Sequence, residues 1–162
     1  MNSSQVLAAM FMAVTSCTQA QANEHLLGTW RLVAFRAEVV ETGQNIENFG
    51  KAPEGYLTYS RDGHMLVVMV KENRPKRADL KEMTDAERIT LFNSLIAYGG
   101  TFQVNGDRIT HNVDISWNEN WTGTAQVRQF RIDGRRLTLT QAPQVGPDGR
   151  RATAVLVWER VQ

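Results

Sequence analysis

The sequence predicts an all-β fold: an eight-stranded antiparallel up-and-down barrel with one helix inserted between strands three and four. Three observations carry this. Apolar and polar residues alternate with period two in short segments joined by turn residues, as half-buried strands require. Consecutive antiparallel strands leave open edges unless the sheet closes on itself, and eight strands close into a barrel that side chains fill or that holds one small ligand. The third observation is polar residues on faces that should point inward. In residues 108–116, Ile109, His111, Val113 and Ile115 share one face, against Arg108, Thr110, Asn112, Asp114 and Ser116. In residues 123–132, the face of Phe130 and Ile132 also carries Gln126 and Arg128. Inward polar groups are costly unless they are paired or face a cavity holding water or a ligand. A barrel with a partly polar lumen explains both strands; a β-sandwich is the competing architecture.

Residues 28–35 open the domain as a strand in which Trp30, Leu32 and Ala34 share a face. Polar, glycine-containing sequence over 42–55 reads as a long loop. Residues 56–60 form the second strand, and Arg61-Asp62-Gly63 turns into the third, 64–70. That strand ends apolar on both faces (Met65 to Val70), which predicts an outer cover, most simply the helix. Residues 73–83, with Pro75, link to that helix. Thr84-Asp85-Ala86-Glu87 is a capping box: the Thr84 hydroxyl accepts from the Glu87 amide, and the Glu87 carboxylate reaches back. Ile89, Phe92 and Ile96 follow at helical spacing, widened by Leu91 and Leu95, with Gly99-Gly100 as the stop. Strands resume at 102–105, 108–116, 123–132 and 136–141, with Asn105-Gly106 and Asp133-Gly134 turns. A loop over 143–150 precedes the last strand, 152–160, where Leu156, Trp158 and Arg160 share a face.

The chain has 162 residues and a net charge of +1, so one domain is expected and nothing advertises nucleic acid as a partner. Residues 1–22 contain no Asp, Glu, Lys or Arg, and 6–14 is an apolar run too short to span a bilayer. Ala20-Gln21-Ala22 offers a small-x-small cleavage site, so 1–22 is expected to be a signal peptide and 23–162 the barrel domain. Val14-Thr15-Ser16-Cys17 offers another route, a lipoprotein leader ending before Cys17, which would tether the domain to a membrane. Either route makes this an exported protein, periplasmic, secreted or membrane-anchored, with no disulfide in the barrel.

Motifs along the barrel resemble those of the bacterial lipocalin-like domain family of the calycin superfamily. They are Gly28-Thr29-Trp30 with Leu32; Pro53, Gly55, Leu57 and Tyr59; Asp62, Gly63 and Met65; Arg74-Pro75; Tyr98, Gly100 and Thr101; His111 and Val113; Trp121, Gly123, Thr124, Gln126 and Arg128; and Leu156, Trp158 and Arg160. The match runs from about 27 to 161. It implies an eight-stranded barrel with an interior ligand pocket. It also implies a structural pair, Trp30 packed beneath Arg160, closing the barrel floor.

His111 is open to two readings: a lumen donor or general base, since imidazole titrates near ~6.5, or a core histidine satisfied by neighbours such as Gln126 or Tyr98. Arg128 could hold a carboxylate, enolate or phenolate in its planar fork, or form a salt bridge to a strand or loop carboxylate. Trp117 and Trp121 bracket a loop at one mouth, as a lid over a ligand or a plain plug. Tyr59, Tyr98, Met65 and Met69 line the pocket or belong to an ordinary core. His25, His64 and His111 are widely spaced and lack any metal-binding motif, so neither metal nor cofactor is expected. The leading expectation is a binding module for a small hydrophobic or amphipathic molecule. Ile109, Val113, Ile115 and Phe130 would supply its apolar walls, and His111, Gln126 and Arg128 would fix orientation. The alternative is a cofactor-independent enzyme, an isomerase or cyclase, using His111 and Arg128 as an acid–base pair. The sequence leaves monomer and homodimer equally open.

Overall fold

The computed structural model describes residues 24–76, 79–145 and 149–162. The proposed leader with Cys17 lies outside the described residues, as do Pro147 and Asp148 of the last loop. The elements, in order, are β1 (Gly28–Val39), β2 (Asn45–Glu47), β3 (Glu54–Tyr59), β4 (His64–Val70), α1 (Asp85–Asn93), β5 (Leu95–Asn105), β6 (Arg108–Ser116), β7 (Ala125–Asp133), β8 (Arg136–Gln141), β9 (Gln144–Val145) and β10 (Arg151–Arg160). All pairings are antiparallel, and β1 pairs with β10 to close the sheet, Trp30 opposite Arg160 and Leu32 opposite Trp158. Eight strands make the barrel wall; short β2 and β9 extend the ends of β1 and β10. Closure removes the edges that an open sheet would expose.

Alternation along each strand fills the interior. Leu57 and Tyr59, Met65, Val67 and Met69, Ile109 and Val113, Leu137 and Leu139, and Leu156 and Trp158 are buried in one core with Trp30 and Leu32. At the floor, Trp30 Nε1 donates to the Leu26 carbonyl at 2.8 Å. The Arg160 guanidinium lies 4.1 Å over the Trp30 ring and donates to the carbonyls of Leu27, at 2.6 Å, and His25. Gly28, at φ 114°, allows the chain to swing from this plug into β1. The expected Trp30–Arg160 pair is present.

Several expectations are corrected. The helix falls after β4, not between the third and fourth strands, because the long loop contributes β2. It ends at Ser94, not at Gly99-Gly100; those glycines, with Leu95 and Ile96, belong to β5, whose strand pairing overrides the helical spacing. The Thr84 capping box does form, with Glu87 N donating to Thr84 Oγ1 at 3.3 Å and Thr84 N to Glu87 Oε2 at 2.9 Å. No residue of α1 is buried, so the helix is not an outer cover for β4. Leu66 and Val68 stay exposed on the outer face beside Tyr56 and Ile115.

Two bulges also overturn simple alternation. One between Leu32 and Ala34 in β1 puts Phe35, not Ala34, inside, where it meets Phe49 edge-on at 5.1 Å. In the other, Asp114 of β6 is the extra residue facing Gly99 and Gly100, which pair with Ile115 and Val113. Past it the faces swap, so Ile115 is 70% exposed and forms no part of the lumen wall.

Candidate functional site

The inward faces of β3, β5 and β7 bring three polar side chains together around His111 of β6. The imidazole is fully buried, and Tyr59, Tyr98 and Arg128 are at least nine-tenths buried. Tyr59 Oη lies 2.7 Å from His111 Nε2, and Tyr98 Oη lies 3.1 Å from Nδ1. Arg128 Nη1 is 3.4 Å from the same Nδ1 and donates to the Gln126 carbonyl at 3.4 Å. Because a guanidinium only donates, Nδ1 must be the acceptor, which assigns the imidazole proton to Nε2 and makes Tyr59 Oη its acceptor.

Charge in this cluster sits on the arginine. Burial pushes the His111 imidazole well below its ordinary value of 6.5, and Arg128 pushes it the same way. Burial raises the Tyr59 phenol well above 10.0; Tyr98 adds to the rise and Arg128 opposes it. Tyr98 is raised by burial against the pull of Arg128. A neutral imidazole and two protonated phenols therefore surround one cation. No carboxylate among the described residues forms an ion pair with Arg128; those found elsewhere join Arg61 to Glu24, His64 to Asp62 and Arg88 to Asp85. The salt bridge considered for Arg128 is absent. Its stabilisation comes from two long hydrogen bonds and the Tyr98 ring, 5.9 Å from the guanidinium carbon. Desolvating an ion costs on the order of several kcal/mol, more than such contacts return.

The β6–β7 loop roofs this cluster. Tyr98 meets Trp121 edge-on at 5.7 Å, and Trp121 meets Trp117 edge-on at 4.8 Å. Both tryptophans are half-buried. Phe130, expected as a pocket wall, lies instead toward the floor end, where its N–H donates to the Asp107 carbonyl at 2.8 Å and its ring lines a shallow pocket with His25 and Ile132. Gln126 is half-buried too, but its amide donates to Thr124 Oγ1 at 3.2 Å and is not the partner of His111. That partnership belongs to Tyr59 and Tyr98. Val113 and Ile109, expected as pocket walls, are packed core, and with His111 they leave almost no surface for water to touch. An open cleft of about 850 Å³ lies at the other end, lined by Leu27, Arg61, Phe102 and Val104 among others. It is separated from His111 by the Phe102–Tyr59 ring pair, 4.7 Å between centroids.

Chemically, the cluster is a better anion receptor than an acid–base pair. Both His111 nitrogens are occupied, so no lone pair faces a substrate, and the imidazole is a weak base. Among the described residues no group of three or more His, Cys, Asp or Glu could hold a metal ion. Tyr59 was visible in the sequence only as a possible lining residue. Its bond to His111 joins strands 52 positions apart and needs the closed barrel.

The model of a lipocalin-like domain family matches residues 27–161. A solved structure of an uncharacterized protein from Bacteroides eggerthii is similar at 11% identity with a TM-score of 0.41, covering 84% of this chain and 99% of that one. No curated protein matches the chain.

Proposed function

The chain belongs to the lipocalin-like domain family, and from that premise we propose that it holds a small, largely apolar molecule in the Trp-roofed half of its barrel. The carrying observation is the Arg128 guanidinium, buried on the inner face with no counter-ion among the described residues, beside a Tyr98 ring that meets half-buried Trp121. A core serving only stability would be better filled there by an apolar side chain. Trp117, Trp121 and Tyr98 supply apolar contact; Arg128 and Gln126 fix orientation, the usual division of labour in a small-molecule pocket. Tyr59 and His111 hold the floor of the site and set the direction of its hydrogen bonds. The absence of charge over residues 1–22 and the apolar run at 6–14 support action after export, with lipidation at Cys17 as the membrane-anchored form.

Native mass spectrometry of the protein purified gently from its own host tests this reading. A discrete added mass, lost on mixing with organic solvent and diminished in Arg128→Met, is the expected result. A clean apo mass would remove the carrier role. The same spectrum reads the mature N-terminus, which distinguishes cleavage after Ala22 from cleavage before Cys17.

A further inference from the structure

Resting on that reading, we infer that the ligand's polar end is a carboxylate, received side-on by Arg128. A guanidinium offers two kinds of edge, and here they are unequally used. Nη1 is taken by His111 Nδ1 and the Gln126 carbonyl, each at 3.4 Å. Nε and Nη2 bond nothing among the described residues, and neither is sealed from solvent; the Trp158 indole nitrogen is the buried side-chain polar atom left without a partner. Those two N–H groups point the same way, at the spacing of the two oxygens of a carboxylate, and they form the edge that makes paired parallel hydrogen bonds.

The surroundings favour the same guest. No carboxylate among the described residues competes for the fork, the two phenols stay protonated, and the imidazole is neutral, so an arriving carboxylate meets an uncompensated positive charge. Tyr98 stands beside the cation at 5.9 Å and carries Trp121 against its ring, so an aromatic surface begins next to the fork. A neutral ester or amide could accept one bond from this edge and would leave the charge unanswered. The site therefore selects amphipathic acids over their neutral derivatives.

The test uses the full chain and two matched pairs, decanoate with methyl decanoate and 4-phenylbutanoate with its methyl ester, followed through tryptophan emission. At least one acid binds saturably and about tenfold or more tighter than its ester. In Arg128→Met the acid falls to the level of the ester while the ester is unchanged. Arg128→Lys keeps the charge without the fork and retains part of the preference, which covers a misfolded Met variant. Equal binding of acid and ester, or an acid preference that survives in Arg128→Met, overturns the carboxylate while the lumen reading stands. No saturable binding by any of the four compounds overturns both.

Discussion

Two arginines enter this barrel, and they are treated in opposite ways. Arg160, at the floor, stacks 4.1 Å over Trp30 and gives hydrogen bonds to two backbone carbonyls of the plug at 25–27. Arg128, beside Tyr98, has two long hydrogen bonds from one nitrogen, a distant ring and no anion among the described residues. The first has every mark of a group selected to hold the fold together. The second, on the reading proposed above, costs stability until a ligand answers its charge. On that reading, the plug at 25–27 completes Arg160 from within the chain, and a ligand would complete Arg128 from outside it.

The largest expected effect is at the finished end. Arg160→Met removes a cation–π contact and strands two carbonyls, which should cost about 3 kcal/mol and lower Tm by roughly 10 °C. Thermal unfolding followed by circular dichroism checks it.

The next effect comes from pH and belongs to the other end. His111 is depressed in the fold, so below the ordinary imidazole value the unfolded chain binds the extra proton first. Stability is thus complete above about pH 6.5 and falls as pH drops toward the folded value, by up to about 1.4 kcal/mol per pH unit. Tyr59 and Tyr98 are raised, so their contribution is complete below about pH 10 and declines above it. Denaturant midpoints across pH should show an acid limb that shrinks in His111→Gln; equal limbs in parent and variant would show the imidazole exposed or ionised in the fold.

The smallest effect is Tyr59→Phe. It leaves the His111 Nε2 proton unpaired and should cost about 1–2 kcal/mol, read as a lower urea midpoint at unchanged slope.

The sequence carried most of the floor and half of the cluster. Trp30 and Arg160 followed from motifs in the first and last strands of the domain, and period-two alternation turned His111 and Arg128 inward. What alternation could not carry was any departure from period two. Asp114 bulges opposite Gly99-Gly100, and nothing in the apolar pattern marks the point where Ile115 turns outward. The stripe through Ile89, Phe92 and Ile96 looked continuous because helix and strand both accept those residues, yet the chain changes from α1 to β5 at Ser94. Partners were the least legible feature. Tyr59 and Tyr98 reach His111 only once β3, β4, β5 and β6 lie side by side, so the imidazole's tautomer and the solitude of Arg128 belong to the closed barrel.

The contrast between the two arginines is tested most directly by unfolding Arg128→Met and Arg160→Met beside the parent, without added ligand at pH 7. Arg160→Met should fall by roughly 10 °C, while Arg128→Met should unfold within about 2 °C of the parent or above it. A fall in Arg128→Met as large as that in Arg160→Met would contradict the account, because Arg128 would then be holding the barrel together in place of waiting for a ligand.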